Sequence, residues 1–365
     1  MTAEGPPTPA LRRLGVVGSG LIGTSVGLAA RAAGIAVLLV DQAPGRAAAA
    51  AALGAGEAAE LDDLTTCEHV IVAVPPATTP VVVQAVLRRT VTSTVSDACS
   101  VKASVLQEVE TLCSDVSRFC GGHPIAGRER GGPGAAQPQL FEGAVWAVTP
   151  LAATGGAATA AVVELASRCG ARPVLMSPDD HDAVLAAVSH APQLLASALA
   201  AELVHAGPLS ATLAGSGFRD ATRLADSDPD LWTQIALANR LALAPAMASL
   251  ADRLRVLVGA LDAGDALAIR SLLDAGREGR GLLPGKANAA RPVWARVGVV
   301  LADRPGELAR LLAAAGAADV NVEDLAIEHA PDHPVGYVDL MVDPESAERL
   351  IDVLTQQGWA AHPTG

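Results

Sequence analysis

The chain has 365 residues, half of them apolar, and its 26 Lys and Arg against 39 Asp and Glu leave a net charge of −13. That length allows two or three domains, each with a sizeable core. The acidic balance lacks the basic footprint of a nucleic-acid binder, and apolar runs such as VIVAVPP fall short of the roughly 20 residues of a membrane span.

The first ten residues are polar and Pro/Gly-rich and are expected to be unstructured. The opening MTAEGPPTPALRR has no apolar signal core, so the expected location is cytoplasmic. Leu14 to Val17 reads as a short buried strand. Gly18, Gly20 and Gly23 then form GxGxxG, Thr24 to Ala33 a helix capped by Gly34, and Ala36 to Val40 a second strand ending in Asp41. This is a βαβ unit with its glycine turn where a dinucleotide needs it, so Gly18, Ser19, Gly20, Leu21, Ile22 and Gly23 are candidate cofactor contacts. A carboxylate at Asp41 accepts ribose hydroxyls and repels a 2′-phosphate, which favours NAD over NADP. Arg46 is read as solvated.

Further continuous apolar strands follow, as in a doubly wound parallel sheet. Val70 to Val74 ends in Pro75, making Val74 and Pro75 cofactor candidates. A helix (79–88), a strand (94–97), a helix (101–113), a segment from Ser117 leading into His123, a strand (146–149), a helix (157–169) and a strand (172–176) complete the unit. The segments GSGLIG, AVPP, DACSVK and GGHPIAG each come just after a predicted strand, which is where ligands bind in such sheets.

From Pro178 to about Gly279 the periodicity is helical, with Asp179 or Asp180 as the expected N-cap and Pro192 as an expected kink. Residues 283–293 read as a linker. The remainder has the order β-α-β-β-α-β of a small ferredoxin-like domain. The expected fold is therefore α/β with three domains: a dinucleotide-binding domain over 12–177, a helical substrate and dimerisation domain over 178–282, and the ferredoxin-like unit over 294–363. Five scattered cysteines, Cys67, Cys99, Cys113, Cys120 and Cys169, contain no CxxC pair and are read as buried or half-buried thiols. His181 and Asp182 lack a third ligand at suitable spacing, so no metal site is expected.

In order, VGSGLIGTS, Asp41, VAVPP, DACSVK, GGHPIAG, SPDDHD, SHAPQ and FRDATRLADSDPDLW resemble the prephenate/arogenate dehydrogenase family of tyrosine biosynthesis, over nearly the whole chain from Leu14. LADRPGELARLL and VNVEDLAIEH resemble ACT modules, which commonly bind amino acids and regulate attached enzymes.

The resemblance implies that His123 takes the hydroxyl proton of a substrate that loses a hydride. Ser100 would bond that histidine and approach the cofactor, with N-capping of a helix starting at Val101 as its plain alternative. Arg223 would grip a substrate carboxylate and Asp220 would orient Arg223; an ordinary helical ion pair is the alternative. The family often has S-H-x-P-H where this chain has SHAPQ, so Gln193 replaces a histidine near the substrate, and His190 is either a substrate contact or a packed helix histidine. Lys102 is read as either a surface cation or an anion contact. Arg128 and Arg130 are candidate substrate or interface cations, and Arg219 is read as solvated. Asp303, Gly306 and Asn321 are candidate effector contacts in the last domain.

The expected activity is oxidative decarboxylation of prephenate with NAD by a homodimer, with tyrosine as a candidate effector. Arogenate is the alternative substrate. A hydroxyacid or imine reductase and a non-enzymatic sensor of NAD and amino acids are the more distant readings.

Overall fold

The computed structural model describes residues 11–127, 131–283, 294–329 and 335–364. The predicted N-terminal arm, Arg128, Arg130 and nearly all of the predicted linker lie outside these residues. The chain divides into two compact units between Arg255 and Val256.

The first unit is built on an eight-stranded sheet, ordered β3-β2-β1-β4-β5-β6-β7-β8. Its strands are β1 (Arg13–Val17), β2 (Ala36–Val40), β3 (Glu57–Ala58), β4 (His69–Val72), β5 (Thr94–Asp97), β6 (Phe119–Pro124), β7 (Val145–Thr149) and β8 (Arg172–Leu175). The connecting helices are α1 (Leu21–Ala32), α2 (Pro44–Ala52), α3 (Thr79–Arg89), α4 (Ala103–Leu112) and α5 (Gly156–Arg168). Apolar cores lie on both faces. Val16, Leu39, Val26 and Val162 belong to one, and Val17, Val72, Val83 and Leu106 to the other. Burial on two sides is why these strands read as unbroken apolar runs.

Pairing is parallel from β3 to β6, but β7 runs antiparallel to β6 and β8 is parallel to β7. Strand direction does not show in hydrophobic periodicity. The link from β6 to β7 holds only short 3-10 turns, at Pro133–Ala135 and Pro138–Phe141, among its described residues. An antiparallel neighbour needs no crossover helix. The same pairing lengthens β6: His123 sits opposite Ala147 and Pro124 opposite Trp146, so GGHP lies within a strand rather than after one.

Helices follow: α6 (Pro178–Leu185), α7 (Ala191–Ala206), α8 (Pro208–Leu213), α9 (Ser216–Thr222), α10 (Pro229–Ala238), α11 (Arg240–Ala263) and α12 (Ala266–Gly281). The N-cap of α6 is Ser177, whose hydroxyl accepts the Asp180 N–H at 3.0 Å, so neither Asp179 nor Asp180 is the cap. One turn of π-helix, Ala186–His190, joins α6 to α7 just before Pro192. Proline offers no N–H to the ladder, and a π-turn absorbs that loss without ending the helix. The run Pro178–Ala206 is long and apolar enough by length and composition to cross a membrane, which the separate apolar runs in the sequence did not suggest. A helix of a globular domain passes the same test, and this run buries His181, Asp182, His190 and Gln193.

The second unit begins within α11. Its sheet has β9 (Ala295–Ala302), β10 (Val322–His329), β11 (Val335–Val342) and β12 (Ala361–Pro363), ordered β10-β11-β9-β12 and antiparallel throughout, with α13 (Glu307–Ala317) and α14 (Pro344–Gln356). Val297, Val299, Leu311, Leu340 and Leu350 form its core. This is the ferredoxin-like order expected from the sequence.

Candidate active site

The sheet order reverses between β1 and β4, and the glycine turn sits there. Gly18 has φ +100°, and its N–H bonds Val40 O at 2.8 Å. A Cβ on Gly18 would lie 2.3 Å from Ala73 O, and one on Gly23 would lie 1.9 Å from Gly18 O, so only glycine fits either place. GSGLIG and AVPP therefore adjoin, with Thr79 Oγ1 donating to Val74 O at 3.1 Å to fix the second segment. Asp41 accepts the Ser19 N–H at 2.8 Å and the Ala43 N–H at 2.9 Å, one on each carboxylate oxygen.

These residues fit a dinucleotide. Helix α1 begins without a side-chain cap or a first-turn acid, and the space beside Gly20 is open. Ser19 Oγ and Thr24 Oγ1 are buried without a partner. First-turn N–H groups, open space and orphaned hydroxyls suit a pyrophosphate. Leu21 and Ile22 form the first turn of α1 and are half-buried, and Arg46 is exposed on α2.

The second part of the site is a buried polar chain between β5, β6, α4 and α6. His123, 8% exposed, bonds through Nδ1 to His181 Nε2 at 2.8 Å, and His181 Nδ1 bonds Asp182 Oδ1 at 2.8 Å. Asp182 also caps α4: Oδ1 accepts the Lys102 N–H and Oδ2 the Ala103 N–H, both at 2.8 Å. Lys102 is fully buried, so it is not a surface cation. Its ammonium pairs with Asp97 and donates to Gly122 O at 2.8 Å. Asp97 further accepts N–H groups from Cys99 at 2.9 Å and Gly122 at 3.1 Å. Burial holds His123 well below the ordinary imidazole value, and the neighbouring His181, Lys102 and His190 add to the effect. At neutral pH its ring is therefore unprotonated and able to take a proton.

Ser100 is half-buried in the turn between Asp97 and α4. That helix begins at Ala103, so Ser100 is not its N-cap, and no hydrogen bond joins Ser100 to His123. The residue that meets His123 is His181.

His190 is buried, accepts the Asn239 Nδ2 amide at 2.9 Å and packs edge-on to Trp232 at 5.9 Å. Burial lowers its pKa to about 4. The same amide of Asn239 donates to Asp182 O at 2.9 Å, tying His190 to the chain that ends at His123. Gln193 is buried and turns its amide to Leu224 O at 2.8 Å, which fastens α7 to the 3-10 turn Arg223–Asp226. Arg223 opens that turn and Asp220 lies in the last turn of α9; both are exposed, as is Arg219.

In the second unit, Gly306 is the left-handed N-cap of α13, Asp303 is exposed before it, and Asn321 bonds Glu323 ahead of β10.

Sequence reasoning missed Asp97, Asn239 and the roles of His181 and Asp182. An acid closing the predicted strand, followed by a Lys in SVK, was the available signal for Asp97. Nothing local links His181 to His123, 58 residues away.

Two family models match the chain. "Prephenate dehydrogenase, nucleotide-binding domain" covers residues 26–175, and "Prephenate dehydrogenase, dimerization domain" covers residues 177–274. A probable prephenate dehydrogenase, NovF, from Streptomyces niveus is 33% identical over 363 residues, covering 96% of this chain and 100% of the relative. Prephenate dehydrogenase from Bacillus subtilis is 29% identical over 325 residues, covering 86% of this chain and 87% of its own. The structure of prephenate dehydrogenase from Aquifex aeolicus with hydroxyphenyl propionate and NAD+ superposes with a TM-score of 0.69 at 26% identity, over 76% of this chain and 100% of that one. Synechocystis arogenate dehydrogenase superposes with a TM-score of 0.63 at 28% identity, over 74% of this chain and 99% of that one. With its glycine turn, its late aspartate and its buried histidine in the order the motifs require, the chain belongs to the prephenate dehydrogenase family.

Proposed function

We propose that the chain catalyses the NAD-dependent oxidative decarboxylation of prephenate to 4-hydroxyphenylpyruvate, with His123 as the base. The observation that carries this reading is a histidine kept unprotonated, its Nδ1 already committed to His181, on the sheet that also bears the GSGLIG crevice. Bound NAD supplies the acceptor for the hydride that leaves the hydroxyl-bearing ring carbon.

The chain's own residues handle the rest. His123 Nε2 takes the hydroxyl proton as that carbon becomes a carbonyl. The carbon–carbon bond to the quaternary carboxylate then breaks, carbon dioxide departs, and its electron pair enters the ring. The phenolate so formed recovers the proton from His123, and no net proton is released. Arg223 holds a substrate carboxylate in its planar fork, Asp220 orients it, and Gln193 steadies the turn that carries it.

The test is steady-state NADH formation with prephenate and with arogenate, using NAD and NADP in parallel. Turnover of prephenate with NAD is expected, and inertness with both substrates overturns the reading. Arogenate is the second arm because an arogenate dehydrogenase is among the similar structures.

The homodimer is assigned to the helical segment, on the match to a dimerization domain. We assign the protein to the cytoplasm, a reading supported by its likeness to soluble biosynthetic enzymes. We divide the chain functionally into 12–177, 178–282 and 294–363, the last as an ACT regulatory domain in which Asp303, Gly306 and Asn321 receive tyrosine. Removing all residues after Pro292 is then expected to abolish inhibition by tyrosine; inhibition that persists means competition at the active site.

A further inference from the structure

We propose that His181 and Asp182 are positioning residues for the base, fixing His123 in the tautomer that carries hydrogen on Nδ1 and leaves Nε2 as a free lone pair. The inference rests on the reading of His123 as the proton acceptor and adds how that ring is set.

The hydrogens follow from what each group can donate. A carboxylate only accepts, so the bond between Asp182 Oδ1 and His181 Nδ1 puts hydrogen on that nitrogen. A neutral His181 then has a bare Nε2, which must accept across the 2.8 Å contact to His123 Nδ1. His123 Nδ1 is thereby the donor. Its remaining nitrogen has no hydrogen and no bonded partner among the described residues.

Asp182 is well suited to anchor this chain because it cannot turn. Its two oxygens take the Lys102 and Ala103 N–H groups at the start of α4, and its own carbonyl takes the Asn239 amide. The rings of His123 and His181 meet edge to face, 5.1 Å apart and 68° inclined, so neither can flip without breaking the chain. His181 is fully buried and Asp182 is 4% exposed, so water does not compete for these bonds. When His123 gains its proton, the same Nδ1–H still points at His181, and no ring has to rotate during turnover.

The test compares His181→Leu with His181→Gln in the full chain. An amide at this place can donate to Asp182 and accept from His123; leucine can do neither. His181→Leu is expected to lower kcat on the order of 100-fold with the KM values for prephenate and NAD within about threefold of the parent, and His181→Gln to recover most of the loss. In a His123→Asn background, His181→Leu is expected to cause no further fall in kcat, because both changes remove one function. Normal kcat in His181→Leu, beside an inactive His123→Asn, overturns the positioning role and leaves the base in place. Normal kcat in His123→Asn overturns the base itself.

Should His181→Leu fail to fold, 15N-histidine NMR of the unaltered protein decides, with the His123 signal identified by its loss in His123→Asn. Hydrogen on Nδ1 of His123 supports the inference, and hydrogen on Nε2 overturns it.

Discussion

Lys102 and Asp97 make a fully buried ion pair, and its strength can be worked from what each would lack alone. Replacing Lys102 with Met leaves a carboxylate that still accepts the Cys99 and Gly122 N–H groups but has lost its counter-charge. Replacing Asp97 with Asn leaves a buried ammonium with only neutral acceptors, such as Gly122 O, and no counter-charge. Breaking such a pair from one side costs about 3–5 kcal/mol, because the survivor is a desolvated charge. The double variant buries no charge, so it should cost less than the two singles added together, with a coupling of about 2–3 kcal/mol. In thermal unfolding at one fixed protein concentration, each single is expected to lower the midpoint by roughly 6–20 °C, taking about 2–4 °C per kcal/mol for a unit of this size. Singles costing under about 1 kcal/mol, or a strictly additive double, refute the reasoning.

The same variant bears on catalysis. The ammonium of Lys102 is one cause of the depressed pKa of His123. Removing a nearby cation favours the protonated ring, so the pKa of His123 rises toward 6.5. The acid limb of the kcat–pH profile is then expected to move to higher pH in Lys102→Met, and a shift the other way contradicts the electrostatic account.

Burial between Thr94 and Ser96 lowers the pKa of His69 from 6.5 to about 3. The unfolded chain takes up this proton below pH 6.5 and the folded chain does not, so stability is intact above that pH and falls as the solution is acidified toward 3. From pH 6.5 to 4.5 His69 accounts for about 2.3 kcal/mol of that loss, and unfolding curves of His69→Gln at the two pH values should show it missing. Gly18→Ala forces a Cβ against Ala73 O and is expected to weaken NAD binding by about 5- to 150-fold, given about 1–3 kcal/mol of backbone strain; unchanged affinity by calorimetry would place the cofactor elsewhere. Asp41→Asn keeps an acceptor but loses the charge, so kcat/KM for NAD should fall about tenfold relative to NADP, and an unaltered ratio removes Asp41 from cofactor choice.

The elements most legible in the sequence were those fixed by local chemistry. The turn after β1 needs glycine at Gly18 and Gly23 because carbonyl oxygens crowd both, and the sequence carries that requirement openly. Ala36–Val40 was bounded correctly because a short apolar run after a helix-capping glycine is a complete signal, and Thr94–Asp97 by its β-branched Thr94 and Val95 ahead of the turn in ACSVK. What escaped depended on distant partners. The reversal of β7 is set by pairing with β6, and the break between α10 and α11 falls at Asn239, whose side chain serves Asp182 and His190 instead of ending a pattern. Lys102 was open between a surface cation and an anion contact because Lys is seldom buried, and it is the pairing with Asp97 at the end of β5 that makes its burial tolerable. His181 and Asp182 looked like metal ligands short of a third because the group they meet is in another element.

The charges around His123 divide two tasks that a single neighbour could not perform. Lys102 is matched to Asp97, and with burial it keeps the resting ring unprotonated. Asp182 has no Lys or Arg partner among the described residues; two backbone N–H groups and the His181 ring satisfy it. It is therefore the carboxylate left to oppose a positive charge on His123, reached through His181 rather than by contact. Were Asp182 directly beside His123, it would raise the pKa of that ring and fill the base with a proton before substrate arrived. Set one imidazole away, it still faces the charge that develops on His123 when the proton moves, and adds less to the proton affinity of the resting ring. The interposed ring reconciles a base that must start empty with a cation that must be tolerated for the lifetime of one turnover.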